Sequence, residues 1–437
     1  MKLKSMAALG LAGALALGAC GGDDDDSSSG DDTTATTAAQ AAATEAPSEE
    51  AATLRLWLNG EDIPDEVVQS AIAEFETAHP GVTVEFERQQ WDGIVERLTT
   101  ALSSDDSPDV VELGNTQAQT FEAAGALVDL SAHKDAMGGD ELVQSLVESG
   151  TYDGTFYAAP LYGGARIVVY RKDLFEQAGL EIPTTIDEFI QAGVALKEAN
   201  ASTPNFSGIY FPGRNWHATL SFIWENGGDI AVQEGDEWVG ELSSPESVAG
   251  LEQVQQIMTE ANGAPPDSDD ANDYIAFCNG EVGMLLGPGW KAGQIAAECP
   301  EMEANIGAFA LPGTEPGTTA PVFLGGSNIG VSANSDHPDL AIELVKVITG
   351  ESFQTELAGL GLLPVRTSLL DLVGGDEPKD AQAAAAQNSR FVPSSENWAA
   401  VEGANILQDM GVAIAQGADV AAEAQAAEEA ILGHLNG

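Results

Sequence analysis

Apolar and polar residues alternate over residues 53–59, TLRLWLN, and this period of two predicts a strand. The period then changes. Pro64 suits the first turn of a helix, and Val67, Val68, Ala71, Ile72 and Phe75 recur at helical spacing until HPG at 79–81 stops the run. Val82, Val84 and Phe86 place a second strand on VTVEFER. WDGIVERLTTALSS reads as a helix opened by Trp91, PDVVEL at 108–113 as a short apolar strand, and TQAQTFEAAGAL as a helix closed by Gly125. Strands alternating with helices predict an α/β fold on a mainly parallel sheet covered on both faces. Ligands sit beyond the carboxyl ends of such strands, so the loops at 58–61 and 114–117 are candidate binding loops.

The texture changes after residue 150. YDGTFYAAP has the form of a hairpin leading into the strand ARIVVYR, followed by a helix broken at Gly179. Thr184 or Thr185 is the expected N-cap of an amphipathic helix over 186–196. Helices dominate 216–300, NIGAFALPG and FLGGSNIGVS return to strands, and the last 90 residues are Ala-rich helices. At 437 residues the chain has room for two or three domain-sized units.

The N-terminus follows different rules. Lys2 and Lys4 precede a run of Ala, Leu and Gly over 7–19, the charged start and apolar stretch of a secretory signal. That run is too short to span a bilayer, which takes roughly 20 residues. LGAC at 17–20 resembles the bacterial lipobox, which implies that residues 1–19 are removed and that Cys20 carries lipid. Residues 21–50 hold no large apolar side chain, so 20–51 is expected to be a disordered acidic tether that lets a folded body stand off the membrane.

Charge narrows the choice of partner. The formal net charge is −54, and about −56 once Lys2 and Lys4 are gone. Phosphate binding needs a basic face, so this balance argues against nucleic acid and against a polybasic hold on lipid. Acidity spread along the whole chain reads as a salt-tolerant surface rather than a cation-binding device. Beyond Cys20, only Cys278 and Cys299 remain; in an exported chain they are a candidate disulfide, the alternative being two buried free thiols.

Eight segments, taken together and in order, resemble the family 1 extracellular solute-binding proteins, the sugar receptors of ABC importers. They include IAEFETAHPGVTVEF, SPDVVELGNTQAQTFEAAGALVDL, YAAPLYGGARIVVYRKDLFEQAGLEIPTTIDEF, FIWENGGDI, FCNGEVGMLLGPGW, FLGGSNIGVSANSDHPDLAIELVKVIT and LGLLPVR. The resemblance implies two α/β lobes of the type II periplasmic-binding-protein kind, joined by a hinge. The N-terminal lobe is expected at 52–160 with 303–349, and the C-terminal lobe at 161–302 with 350–437. It further implies a monomer on the outer face of the cell membrane, a carbohydrate ligand (a di- or oligosaccharide) and a partner permease, with no cofactor and no resident metal.

A sugar offers an apolar C–H face and a rim of hydroxyls, so its receptor needs aromatic planes beside hydrogen-bonding side chains. Trp290 in GPGW is the leading stacking candidate, where the glycines let backbone approach a ligand. Trp224 is a second candidate, weighed against a core role; Trp216 and Trp91 are left open between packing and contact. Asn59, Glu61, Asn115 and Thr116 stand on the two candidate loops, and Tyr162 and Arg166 lie beside the expected lobe crossover. By resemblance, Gly325, Gly326, Ser327 and Asn328 line the cleft and Arg366 contacts hydroxyls.

Enzymes and receptors for other solutes are the competing classes. HExxH, GxSxG and P-loop motifs are absent, GGSNIG has Ile329 where a nucleophile elbow needs Gly, and five His show no metal-ligand spacing. A glycosidase built on two of the 70 acids is the enzymatic alternative. A receptor for a polyamine or an iron complex is the other, since acids around aromatic rings would suit a polyamine.

Overall fold

The computed structural model describes residues 51–437 except 236, 269–272 and 374. The signal segment, Cys20 and the tether up to residue 50 lie outside the described residues.

The strands are β1 (Ala52–Asn59), β2 (Val82–Gln89), β3 (Val110–Gly114), β4 (Thr151–Tyr152), β5 (Thr155–Phe156), β6 (Ala158–Arg171), β7 (Ser207–Tyr210), β8 (Ala231–Glu234), β9 (Glu237–Gly240), β10 (Val282–Pro288), β11 (Ile306–Phe309), β12 (Val322–Val331) and β13 (Ser389–Arg390). Nine of them form one sheet in the order β2-β1-β3-β12-β6-β10-β7, with β11 on β6 and β13 on β12. β4–β5 and β8–β9 are separate hairpins.

The sheet is mixed rather than mainly parallel. β1 pairs parallel with β2 and β3, but β6 and β12 run antiparallel to each other, and β12 runs antiparallel to β3. The reason is that β6 and β12 are return crossings rather than members of the βαβ series. β6 changes partners along its length: 158–165 pairs with β12, while 166–171 pairs with β10 and β11.

Packing follows the same division. Leu54, Phe75, Val110, Tyr162, Leu324, Leu357 and Val365 share one hydrophobic cluster. Ala165, Val168, Phe222, Leu285, Leu311, Phe323 and Ala385 share another. The core therefore changes hands within β6, between Phe323 and Leu324 of β12, and between residues 365 and 381. This division differs from the expected boundaries at 303 and 350. Ile306 and Ala308 bury with the second cluster because β11 pairs with the C-terminal half of β6. Phe353 and Leu357 bury with the first, where Glu356 of their helix accepts from Ser70 Oγ at 3.2 Å.

Local structure obeys the sequence signals. The helix Asp65–Ala78 buries Val67, Val68, Ala71, Ile72 and Phe75, one face of a 3.6-residue repeat. Thr185 caps Ile186–Ala199 by accepting from Glu188 N, and Glu188 reaches back to Thr184 N at 2.8 Å, which satisfies two orphan donors at once. Gly179 ends the preceding helix at φ 64, a conformation that favours glycine. Cys278 and Cys299 form a disulfide with a Cα–Cα distance of 5.8 Å.

Candidate ligand-binding site

Strand alternation assembles the site. Cross-strand partners point to the same face, and so do residues two apart. Gly325 pairs with Gly164, Ser327 with Tyr162, and Ser327 again with Gly114. One face of the sheet therefore carries Glu112 and Gly114 from β3, Phe323, Gly325 and Ser327 from β12, and Tyr162, Gly164 and Arg166 from β6. Its middle is a floor of three glycines, over which the side chains of neighbouring elements stand.

Trp290 stands on that floor. It follows β10 at the N-terminal end of the helix Lys291–Glu298, which buries Ala292 and Ile295 in the second cluster. Its ring instead packs with the first cluster. A Cβ on Gly164 would lie 2.1 Å from Trp290 Cζ3, so only glycine permits this seating. Tyr162 meets the ring edge-on at 5.8 Å. Gln382 Nε2 donates to Gly361 O at 3.0 Å, and its Oε1 lies against Gly289, where no Cβ would fit.

Trp91 covers the opposite end. Gly60, at φ 59, leaves space for Trp91 Nε1, and the far edge of that ring lies over Gly114. Between the two tryptophans is Asp62, half-buried. Its carboxylate accepts from Tyr162 OH at 3.2 Å and from the indole N–H groups of Trp290 and Trp91. Burial raises the Asp62 pKa above the ordinary carboxylate range, while Lys291 and these donors pull it down. Lys291 is itself paired with buried Asp273 at 2.7 Å.

Behind Asp62 lies Glu112, 1 % exposed. Its Oε2 accepts from Asn59 N at 2.7 Å, and Asn59 Nδ2 donates to the Glu112 carbonyl at 3.0 Å. Burial pushes Glu112 up to about 7, opposed mainly by the Asn59 N–H and the Ser327 hydroxyl.

On the far side of Gly164 and Gly325, the Arg166 guanidinium lies over the Phe323 ring at 5.3 Å. His217 sits 4.9 Å from Phe323 and stacks on Trp216 at 3.9 Å. Burial, then Arg166, lowers the His217 pKa well below the usual imidazole value, so the ring is neutral at pH 7. Nearby, Glu402 accepts from Trp398 Nε1 at 2.7 Å and Gln117 Nε2 at 2.9 Å, with the Thr116 hydroxyl also bonded to it. Burial raises the Glu402 pKa.

The structure thus brings Tyr162, Arg166, Trp290, Gly325 and Ser327 to one face, with Thr116 at its edge. Asn59 and Asn115 act within the wall: Asn115 Nδ2 donates to Leu324 O at 3.0 Å and its N–H to Gly326 O at 3.1 Å. Gly326, at φ 150, turns to the other face against the Tyr162 carbonyl. Asn328 bonds Ser149 within the first core. Glu61 is exposed. Trp224 is buried in the second core, donating to Asp229 at 3.0 Å under the Arg390 guanidinium. Arg366 pairs with Glu141 at 3.0 Å and donates to Thr349 O at 2.9 Å, apart from the group. Sequence reasoning missed Asp62, Glu112, Gln117 and Glu402. Glu112 did carry a signal, as the one acid inside the apolar run VVEL; Asp62 stood one residue past the loop that was considered.

Two cores that share β6 and β12 thus meet at a floor of glycines, aromatic rings and a common carboxylate. The sequence profile described as bacterial extracellular solute-binding protein matches residues 60–355, and the chain belongs to that family. It is 34 % identical over 407 residues to the diacetylchitobiose binding protein DasA of Streptomyces coelicolor, covering 92 % of this chain and 91 % of the relative. It is 24 % identical to the multiple sugar-binding protein of Streptococcus mutans, over 69 % of this chain and 72 % of that one. The GacH receptor of Streptomyces glaucescens, solved unliganded and with acarbose, superposes with a TM-score of 0.78 at 22 % identity, covering 89 % of this chain and 99 % of the receptor. The fold is the two-lobed periplasmic-binding-protein fold. Among the described residues, no helix is long and apolar enough to cross a membrane.

Proposed function

We propose that this chain is the sugar receptor of an ABC importer, binding a di- or oligosaccharide reversibly and passing it to a permease without chemical change. The observation that carries this reading is the convergence of Trp91, Trp290 and Tyr162 on the Asp62 carboxylate beside the glycine floor. Indole rings suit the C–H face of a sugar, and Asp62 is an acceptor for its hydroxyls. The ligands for which DasA and the streptococcal protein are named support the same class.

In this reading the two clusters are two lobes, 52–163 with 324–373 and 164–323 with 375–437. β6 and β12 are hinge strands, and ligand favours closure by touching both sides. The chain acts as a monomer at the outer face of the membrane, held by lipid on Cys20 through the acidic tether.

A thermal-shift panel of mono- and oligosaccharides tests the ligand class. A ligand at 100 times its Kd adds about 2.7 kcal/mol of stability. No shift with any carbohydrate, together with a shift from spermidine, would replace sugar by polyamine. Trp290→Ala is expected to lose binding while keeping the far-UV dichroism and cooperative unfolding of the fold; unchanged affinity would remove Trp290 from the site.

A further inference from the structure

We propose that Glu112 is a positioning residue: its proton orients a hydrogen-bond relay through Ser327 and Tyr162 onto Asp62, so that ligand affinity follows pH through a group that never touches the ligand. This inference rests on the reading of Asp62 and Trp290 as the ligand site.

The Ser327 hydroxyl has one proton and two acceptors in reach, Tyr162 OH and Glu112, and these two settings make the switch. Ser327 Oγ donates to Tyr162 OH at 3.3 Å, and Tyr162 OH donates to Asp62 Oδ2 at 3.2 Å. Each hydroxyl has one proton to give. If Ser327 donates to Tyr162, whatever lies behind Ser327 must donate to it or leave its oxygen without a donor. Glu112 lies there. Its Oε2 is already taken by Asn59 N, while its Oε1 is buried with no hydrogen-bond partner of its own. A proton on Oε1 completes the chain from Glu112 to Ser327, Tyr162 and Asp62. Ionised Glu112 reverses the first link: Ser327 turns its proton to the carboxylate, and Tyr162 loses its donor.

Surrounding charges leave Glu112 able to titrate near neutral pH. Burial raises its pKa to about 7, and Asp62 from the loop after β1 adds to that, while Arg88 of β2 opposes it. β6 contributes Tyr162, held neutral by burial. β12 brings the uncharged Ser327 and Asn328. The helix Pro338–Ile348 brings Glu343 and Lys346, which pair with each other at 2.6 Å. The exchanged proton comes from solvent.

The test compares the wild-type chain with Glu112→Gln, whose amide donates as the acid does but cannot ionise. Affinity for the tightest sugar of the panel is measured by calorimetry from pH 6 to 8.5. Wild-type affinity is expected to fall about fivefold between pH 7 and 8, following the protonated fraction. Glu112→Gln is expected to lose this slope. Ser327→Ala is also expected to lose it, although Glu112 still titrates by carboxyl 13C NMR. A flat wild-type profile, or the same slope in Glu112→Gln, overturns the proposal. Indole fluorescence of ligand-free protein decides the relay even if no carbohydrate binds. A change over this pH range that Glu112→Gln abolishes supports it, and an unchanged response in the variant overturns it.

Discussion

Glu122 shows what a buried carboxyl costs. It lies on the helix Ala118–Ala123, 2 % exposed, with neither oxygen hydrogen-bonded, and burial raises its pKa to about 8. The folded chain keeps it protonated where the unfolded chain would ionise it. Its contribution to stability is therefore full below about pH 4.5, drains at up to about 1.4 kcal/mol per pH unit, and is exhausted above about pH 8. Glu122→Gln is expected to flatten this decline, measured by urea unfolding at pH 5.5 and 8.5; an unchanged difference between the two would refute the assignment. Gly164 is the second residue-scale case. Gly164→Ala must push Trp290 off the floor and is expected to weaken ligand binding at least tenfold by calorimetry; wild-type affinity would show that the ring does not need its seat. Legibility at this scale was uneven. Trp290 was readable because GPGW pairs a ring with glycines. Trp224 and Arg366 have the right chemistry, yet Arg390 reaches Trp224 and Glu141 reaches Arg366 from distant segments that sequence does not align.

At the scale of elements, β6 and β12 do most of the work. Each belongs to both cores, and their paired glycines let side chains approach the backbone from both faces. The helices were legible from periodicity and caps, as the burial of Val67 to Phe75 shows. The direction of β6 and β12 was not, because an apolar run reads alike in parallel and antiparallel pairing. The disulfide works at the same scale. It joins the end of the helix Asp273–Cys278 to the residue after Lys291–Glu298, so it brackets β10 and Trp290. Closing a loop of this length contributes roughly 3 kcal/mol. Reduction is expected to lower the unfolding midpoint and weaken ligand binding together; unchanged affinity in reductant would show that Trp290 is held without it.

The whole molecule carries a formal charge of −54, with 16 basic residues against 70 acids. Few cations are left for pairing, so repulsion between surface carboxylates opposes the compact state. Raising KCl from 0.05 to 1 M screens that repulsion and is expected to raise the melting temperature; a flat or falling midpoint would point to local pairing instead. The cores also touch away from the site. Gln119 Nε2 donates to Ser394 Oγ at 2.8 Å, Thr120 Oγ1 to Glu396 O at 2.6 Å, and Tyr152 OH to Glu396.

Sequence alone determined the α/β class, most of the helices, the capping of Ile186–Ala199 and the family resemblance. These rest on period, turn residues and local motifs, all of which act within a few residues of chain. Tertiary structure alone decided which residues meet. Asp62, Glu112, Tyr162, Trp290 and Ser327 come from five segments; strand register sets Glu112, Tyr162 and Ser327 on one face, and the loop after β1 and the turn after β10 bring Asp62 and Trp290 over it. It also decided which carboxyls have raised pKa values, because burial is a property of the packed chain and not of the residue.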